Sequence, residues 1–284
     1  MAKQTNNPLS GHFRSPKLYT QLPSLGKFYS PDVVVMPENG ELPVFPMTAK
    51  DELIMRNPDA LLNGEAVSQV IKSCVPAVKN AKALLSNDVD ALLLAIQGAS
   101  YGNDVAVSAN CPKCEKLIES TVNVDNVLQS MATLDETYDI VIDDLTITLK
   151  PFTYTTTIKA GIASFQSTRS LQSMADLPND LDRLRVFNEN FVRMASVNFD
   201  IVVDSVFSIT INRDADDEIV VVDRDQISEY LENCESHVGK KIEEKISDIG
   251  AIGIVKKGLF NCEECNEQFE SPVAFDPVNF STAS

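Results

Sequence analysis

Two pairs of cysteines constrain this chain more than any other feature of its sequence. Each pair has the spacing C-x-x-C, formed by Cys111 with Cys114 and by Cys262 with Cys265. This spacing lets both sulfurs of a pair turn towards one ion, and two pairs complete a tetrahedral thiolate site for Zn²⁺. The 147 residues from 115 to 261 separate the pairs, whereas an ordinary zinc ribbon has roughly 15–20. Four thiolates leave no position for water, so the pattern predicts one structural zinc per chain.

The sequences that flank the two pairs are related to each other. When residues 110–127 are placed on residues 261–278, an offset of 151, eight of the 18 positions are identical. In both copies the cysteines precede an alternating, extended run, which predicts two similar hairpins that meet across one metal ion. We therefore expect a discontinuous four-cysteine zinc ribbon, with halves at residues 101–127 and 250–284. Lysines beside the sulfurs are expected to offset their negative charge: Lys113, Lys116, Lys256 and Lys257.

Two other uses of the cysteines remain open at this stage. A C-x-x-C thiol oxidoreductase is the first, but such motifs lie near a βαβ pattern and open a helix, whereas strand-like runs follow these pairs. Disulfides are the second, but the first residues lack the apolar segment of a secretory signal. Cys74 lies on an apolar helix face and is expected to be a core residue. Cys234, with His237 close to it, could supply added ligands, but isolated surface or core residues are the preferred interpretation.

The charge balance indicates which partners to expect. With 24 basic and 41 acidic residues the chain has a formal net charge of −17. This excess of acid argues against nucleic acid and anionic membrane as partners, because both require clustered Lys and Arg. No apolar run reaches the ~20 residues that cross a membrane. We also find no phosphate-binding loop and no common catalytic motif, so a non-enzymatic protein is expected.

The first hundred residues divide into a proline-rich arm and a helical region. Residues 1–47 contain seven prolines, which disfavour helix and predict an extended arm with a short strand at Val33–Met36. Residues 48–100 predict three helices, of which Asn57-Pro58 stops the first: Glu52–Arg56, Glu65–Cys74 and Asp88–Ser100. Thr48 is the expected N-cap of the first helix, with Asp51 at the capping-box position.

The segment at 128–249 is predicted to be a large α+β insertion between the two halves of the ribbon. Its apolar periodicity indicates a hairpin, two long helices, a second pair of strands and two final helices: Tyr138–Ile142 with Leu145–Pro151, then Tyr154–Met174, Asp180–Asn198, Val206–Ile211 with Ile219–Val222, Asp223–Cys234 and Ser236–Ile249. The whole chain is therefore expected to be α+β, with an insertion that has a core of its own.

Four apolar residues of the arm are candidate partner contacts. Leu22, Leu25, Phe28 and Tyr29 lie in a proline-rich segment with little intrinsic fold, and a merely solvated tail would not need them. The sequence leaves open whether the arm packs on its own domain or on a neighbouring subunit.

Several motifs resemble one viral family. Leu22-Pro-Ser-Leu-Gly-Lys-Phe-Tyr29 is similar to the arm of baseplate hub subunits from contractile-tailed, T-even-like bacteriophages (myoviruses). The resemblance extends to a short set of further motifs in the same order: Thr48-x-x-Asp51-Glu52, Asn63-Gly64, Ser100-Tyr101-Gly102, both C-x-x-C pairs and Asp276-Pro277-x-Asn279-Phe280.

The resemblance implies a late protein that joins, or helps to assemble, the central hub of the tail baseplate. It implies other hub and tail proteins as partners in an oligomeric assembly, and a location in the host cytoplasm during assembly and then in the virion. A permanent subunit and a transient assembly chaperone absent from the mature virion both fit the sequence, since each needs protein-binding surface and no catalysis.

Overall fold

A computed structural model describes residues 8–174, 179–213 and 217–272. Within these residues the strands are, in chain order, β1 Leu18–Thr20, β2 Leu42–Val44, β3 Asp104–Asn110, β4 Leu117–Asn123, β5 Tyr138–Ile142, β6 Leu145–Leu149, β7 Val206–Ile211, β8 Ile219–Val221, β9 Lys257–Asn261 and β10 Gln268–Pro272. The α-helices are α1 Ala49–Met55, α2 Pro58–Leu62, α3 Glu65–Cys74, α4 Ser86–Tyr101, α5 Val124–Gln129, α6 Tyr154–Met174, α7 Asp180–Ser205, α8 Arg224–Asn233 and α9 Ser236–Ala251. All strand pairs are antiparallel, and the mixture of helices and antiparallel sheets confirms the α+β class.

The predicted capping box opens α1. The Thr48 hydroxyl accepts a hydrogen bond from the Asp51 N–H at 3.2 Å, and the Asp51 carboxylate accepts one from the Thr48 N–H at 2.8 Å. Helix α1 ends at Met55, just before Asn57-Pro58, as predicted. The sequence does not predict α2, which Asn57 caps and which begins at Pro58, because a missing N–H is tolerated at the first helical position.

The arm folds onto the helical region of its own chain. β1 pairs with β2, and the first apolar cluster of the molecule joins side chains from the arm to α1, α3 and α4. The predicted strand at Val33–Met36 is wrong, since Val34 makes only an isolated bridge to Val78. Pro43 lies within β2. A proline is tolerated there because the sheet has two strands, so each strand has an unpaired edge.

The insertion is built on a four-stranded sheet in the order β5-β6-β7-β8. The second apolar cluster lies between this sheet and helices α8 and α9, with Ile147, Leu149, Ile242 and Ile249 fully or almost fully buried. Its predicted elements are confirmed to within a few residues, except that α7 runs to Ser205 rather than Asn198. The sequence also predicts a connection between α6 and α7 at 175–178 and an acidic turn between β7 and β8 at 214–217; residues 175–178 and 214–216 lie outside the described residues.

The insertion also packs against the helical region. The Tyr154 N–H donates to the Leu84 carbonyl at 2.7 Å, and the Ser86 N–H donates to the Phe152 carbonyl at 3.1 Å. The Asn87 amide donates to the Ile249 carbonyl at 2.9 Å. The second apolar cluster therefore extends beyond 128–249, and the division of the chain at these residues stays a prediction.

Helices α6 and α7 form an antiparallel pair. Lys150, just before α6, donates its N–H to the carbonyl of Ser205 at the end of α7 at 2.9 Å. The beginning of α6 and the end of α7 therefore lie close together, and the two helices pack along each other from that end. No helix of the described residues is both long and apolar enough to cross a membrane.

Candidate metal centre

The first cysteine pair lies in the turn between β3 and β4, and we call these two strands with their turn the first cysteine hairpin. The Cys111 N–H donates to the Lys116 carbonyl, and the Glu115 N–H donates to the Cys111 carbonyl, both at 2.9 Å. Glu115 has a left-handed backbone with φ 59°, which turns the chain back towards β4. The N–H groups of Lys113 and Cys114 hydrogen-bond the Cys111 sulfur.

The second cysteine hairpin, β9 and β10 with their turn, repeats this geometry 151 residues later. The Cys262 N–H donates to the Glu267 carbonyl at 2.9 Å, and the Asn266 N–H donates to the Cys262 carbonyl at 2.8 Å. Asn266 has φ 53°, and asparagine tolerates this left-handed conformation better than most residues. The N–H groups of Glu264 and Cys265 hydrogen-bond the Cys262 sulfur. The sequence similarity therefore corresponds to one local structure made twice.

The two hairpins bring four thiols together. The sulfurs of Cys111 and Cys265 lie 3.5 Å apart, as do those of Cys114 and Cys262. All four sulfurs lie within 4.8 Å of one another. A tetrahedral zinc site with Zn–S bonds of ~2.3 Å has sulfurs about 3.8 Å apart, so the cluster has the size that such an ion requires.

The hairpins are related by an approximate two-fold axis. Lys113 forms an ion pair with Glu267 at 3.2 Å, and Lys116 forms one with Glu264. With the offset of 151, position 113 corresponds to 264 and position 116 to 267. Lys113 thus pairs with the equivalent of Lys116, and Lys116 pairs with the equivalent of Lys113. A two-fold axis requires this reciprocal exchange. The close sulfur contacts follow the same rule.

A small apolar cluster supports the thiols. Phe260 and Ala109 are buried and lie at equivalent positions of the two hairpins, and Phe269 and Ile118 are equivalent in the same way. The rings of Phe260 and Phe269 stack with their centroids 5.7 Å apart and an angle of 18° between their planes. The second hairpin has phenylalanine at both positions, where the first has the smaller alanine and isoleucine.

Backbone hydrogen bonds make the first thiol of each pair the more acidic one. The N–H groups of Cys265 and Glu264 lower the pKa of Cys262 to about 7. Burial raises the pKa of Cys111, but the hydrogen bonds from the N–H groups of its turn outweigh burial, and the net pKa shift of Cys111 is downward. Burial raises the pKa of Cys265 to about 12. At Cys114 a backbone N–H lowers the pKa, yet the neighbouring thiols and burial outweigh it and the net pKa shift is upward.

The donor set fits a closed metal site. Four sulfurs converge, backbone N–H groups already stabilise the negative form of two of them, and Cys111 and Cys262 are buried. A Zn²⁺ ion held by these four residues would cross-link the two hairpins and leave no coordination position for water. Of the lysines expected near the sulfurs, Lys256 instead forms an ion pair with Asp90 on α4.

The other two cysteines lie outside the cluster. Cys74 is buried in the first apolar cluster, and burial raises its pKa to about 11. Cys234 packs against the second apolar cluster, and its thiol donates to the Leu231 carbonyl at 3.4 Å. Their predicted placement as isolated residues is confirmed.

The four predicted partner contacts have different surroundings. Leu22 is fully buried in the first apolar cluster and offers no surface to a partner in the folded chain. Phe28 and Tyr29 are partly buried and pack against the second apolar cluster. Leu25 is 41% exposed. The arm therefore contributes to the core of its own chain, and Leu25 is the member of this set most available to another protein.

Tyr29 belongs to a buried polar group that the sequence does not reveal. Its hydroxyl donates to the Asp88 carboxylate and accepts from the Leu85 N–H at 2.8 Å. The Ser24 N–H donates to the same carboxylate at 2.9 Å. Burial raises the pKa of Asp88, although the hydrogen bonds from Ser24 and Tyr29 oppose the rise. The group attaches the arm to the start of α4, and no local pattern marks it, because the bonded residues lie 56 to 64 positions apart in the sequence.

Arg14 makes a second anchor that the sequence does not predict. Its guanidinium donates to the Pro46 carbonyl and to the Ser73 carbonyl, and pairs with Asp51 at 3.5 Å. It also lies over the Phe45 ring, 5.8 Å from the centroid. A single arginine in a proline-rich segment has no spacing that would indicate these contacts.

Comparison with known proteins places the chain in one family. No curated protein matches it, and no solved structure does. A family model described as the T4 bacteriophage base plate protein matches residues 20–280. The match covers most of the arm, both cysteine hairpins and the whole insertion between them. It also spans the terminal motif at 276–280, which lies outside the described residues. The chain therefore belongs to the T4 bacteriophage base plate protein family.

Proposed function

We propose that this protein is a non-enzymatic component of the tail baseplate hub, which acts through protein–protein contacts and is stabilised by one structural Zn²⁺. Membership of the base plate family supports the baseplate role. The observation that carries the zinc assignment is the cluster of four thiols within 4.8 Å, made by two hairpins of matching geometry. The proposed ligands are Cys111, Cys114, Cys262 and Cys265.

Zinc in this position would act on the fold rather than on a substrate. The cysteine hairpins are separate two-stranded sheets, and an isolated pair of strands is marginally stable in water. A shared ion would join them and would close the chain around the insertion. Metal binding and folding of the hairpins would then be one event.

The role in the hub is tested by the composition of the finished particle. We expect the chain in purified virions, in fixed proportion to other baseplate subunits, and at the centre of the baseplate when it is located by labelling. A chain that is required for infectivity but absent from purified virions would overturn the structural role and establish the alternative, a transient assembly chaperone.

Within the arm, we propose Leu25 as a contact to another hub protein. Its side chain is 41% exposed, and its backbone is left-handed with φ 52°, which is unusual for a bulky residue. Strained backbone positions of this kind cluster at binding sites. Leu25→Ser should weaken association with hub proteins while the helical signal stays unchanged. Leu53→Ser, at a 68% exposed leucine on α1, is the matched control. Equal loss of association in both variants would argue against the assignment.

A further inference from the structure

The helices α6 and α7 pack along each other through side chains of mixed size. On α6 the less exposed positions include Ala160, Ile162 and Ala163, and on α7 they include Val186, Met194 and Val197. Asn190 of α7 is buried, and its amide oxygen has no hydrogen-bond partner among the described residues. Other large apolar side chains of α7 lie outside the pair.

Four large apolar side chains of α7 lie on one exposed side of the helix, and we call this side the α7 stripe: Leu181, Leu184, Phe191 and Val192. Leu181, Leu184 and Phe191 follow the alternating three- and four-residue spacing by which one helix packs against another, with Asn188 and Ala195 at the remaining positions of that spacing. Leu181 is 80% exposed, Phe191 68% and Val192 66%. An amphipathic helix that leaves such a stripe in water lacks its partner helix.

The charge of the pair narrows the choice of partner. The two helices contain five basic residues (Lys159, Arg169, Arg183, Arg185, Arg193) and five acidic ones (Asp180, Asp182, Glu189, Asp200, Asp204), so their formal net charge is zero in a chain of −17. For electrostatic complementarity, a basic partner would require an excess of acidic residues on the helical pair, and the pair has no such excess. A neutral partner surface fits instead, and the same stripe of another copy is neutral.

We propose that the α7 stripe packs against the α7 stripe of a second copy of this chain, with the two helices antiparallel. α7 has 26 residues and is therefore about 39 Å long. Antiparallel packing would place the two acidic bodies at opposite ends of the contact, several times the Debye length of ~8 Å apart. This pairing deepens the proposed function and rests on it, because it names the first contact from which a symmetric hub component would assemble.

The area of the stripe predicts a weak dimer. Burial of Leu181, Leu184, Phe191 and Val192 would remove roughly 90 Å² of apolar surface per side chain, or about 700 Å² over two copies. Specific interfaces of stable complexes bury ~1,200–2,000 Å², so association in the micromolar range is expected. Raising the salt from about 0.01 M, where the Debye length is ~30 Å, to about 0.15 M should strengthen the dimer, because it screens the repulsion that remains between the acidic bodies at low salt.

The test is sedimentation of the full-length protein over a concentration series, at low and at moderate salt. Wild-type protein should form dimers that tighten with salt. Phe191→Glu should weaken association at least tenfold without loss of helical signal. Phe165→Glu, at a half-exposed phenylalanine on α6 of the same helical pair, should leave association unchanged.

Three outcomes would overturn the pairing. The first is wild-type protein that is monomeric at every concentration, and the second is equal weakening by the control variant. The third is a monomer whose entry into virions is abolished by Phe191→Glu, which would mean that a helix of another protein covers the stripe. Virion composition judges the hub role separately: a monomer found in virions refutes only the pairing, and a dimer missing from virions refutes only the hub role.

Discussion

Removal of the metal should open the cysteine hairpins while the rest of the chain stays folded. Among the described residues, the apolar cluster beneath the thiols contains two buried side chains, Ala109 and Phe260, whereas each of the two largest clusters contains more than a dozen. Besides the proposed Zn²⁺, the hairpins therefore have, in the described part of the chain, only this small cluster and two exposed ion pairs to hold them together. When free zinc exceeds the dissociation constant 1,000-fold, binding to the folded state alone contributes about 4 kcal/mol. Chelation should accordingly speed amide exchange in the hairpins by up to about 1,000-fold.

Hydrogen exchange followed by mass spectrometry measures this effect segment by segment. Peptides from 104–123 and 257–272 should lose protection on chelation, while peptides from α4 and β6 keep theirs. Elemental analysis should give about one zinc per chain before chelation. Cys262→Ser should reproduce the loss of metal and of protection, and Cys234→Ser, which changes a cysteine outside the cluster, should reproduce neither.

Two results would refute the reasoning. If metal-free protein kept full protection in both hairpins and melted no lower than the loaded form, zinc would have no structural role. If protection were lost evenly across the whole chain, the hairpins would not be a separate unit of stability.

Further predictions concern the arm, one turn and one buried acid. Leu22→Ala should cost about 2–5 kcal/mol in urea unfolding, whereas Leu25→Ala should stay within about 0.5 kcal/mol; similar costs for both would contradict the packing of the arm. Gly64→Ala should destabilise by more than about 1 kcal/mol, because Gly64 has φ +70° and an added Cβ would clash with the side chain of Ile158; an unchanged melting temperature would show that the turn relaxes. Burial raises the pKa of Asp88. At a pH between its ordinary and its raised pKa, this carboxyl is therefore protonated in the folded state and ionised in the unfolded state. Its contribution to the free energy of unfolding increases as pH falls through that window. Relative to Asp88→Asn, wild type should gain stability in urea titrations as pH is lowered, and a constant difference would mean that this carboxyl does not titrate there.

The helices can be predicted because their signals are local. Glu65–Cys74 begins and ends where the periodicity indicates, and the capping box at Thr48 fixes the start of α1. Helix α5 is not revealed by the sequence, because the alternating run after Cys114 favours extended structure through Val127. The strand ends at Asn123, whose side chain accepts a hydrogen bond from the Asn126 N–H at 3.1 Å and caps the helix.

The arm cannot be predicted because its contacts are distant in sequence. A leucine in a proline-rich segment gives the same local signal whether it meets a partner or its own core. Leu22 is buried and Leu25 is exposed, although only two residues separate them. That difference depends on contacts with α3 and α4, dozens of residues further along the chain, and no periodicity within the arm reports it.

The cysteine cluster is the most predictable part of the candidate site. The repeat at an offset of 151 anticipates equivalent turns, and the structure gives Glu115 and Asn266 the same left-handed backbone. The ion pairs between the hairpins cannot be predicted in this way, because they depend on the relative orientation of the two turns. The second copy of the repeat beyond Pro272 lies outside the described residues.

The distance along the chain between the two cysteine hairpins also sets the order of events during synthesis. The ribosome makes the first pair of thiols, and then the 147 residues from 115 to 261, before the second pair exists. At ~5–20 residues per second, that interval is roughly 7–30 seconds, long enough for the sheet and its helices to fold first. A four-thiol site can therefore form only on a chain whose central segment has already been translated, so the proposed Zn²⁺ would join the two hairpins after the segment between them has been made.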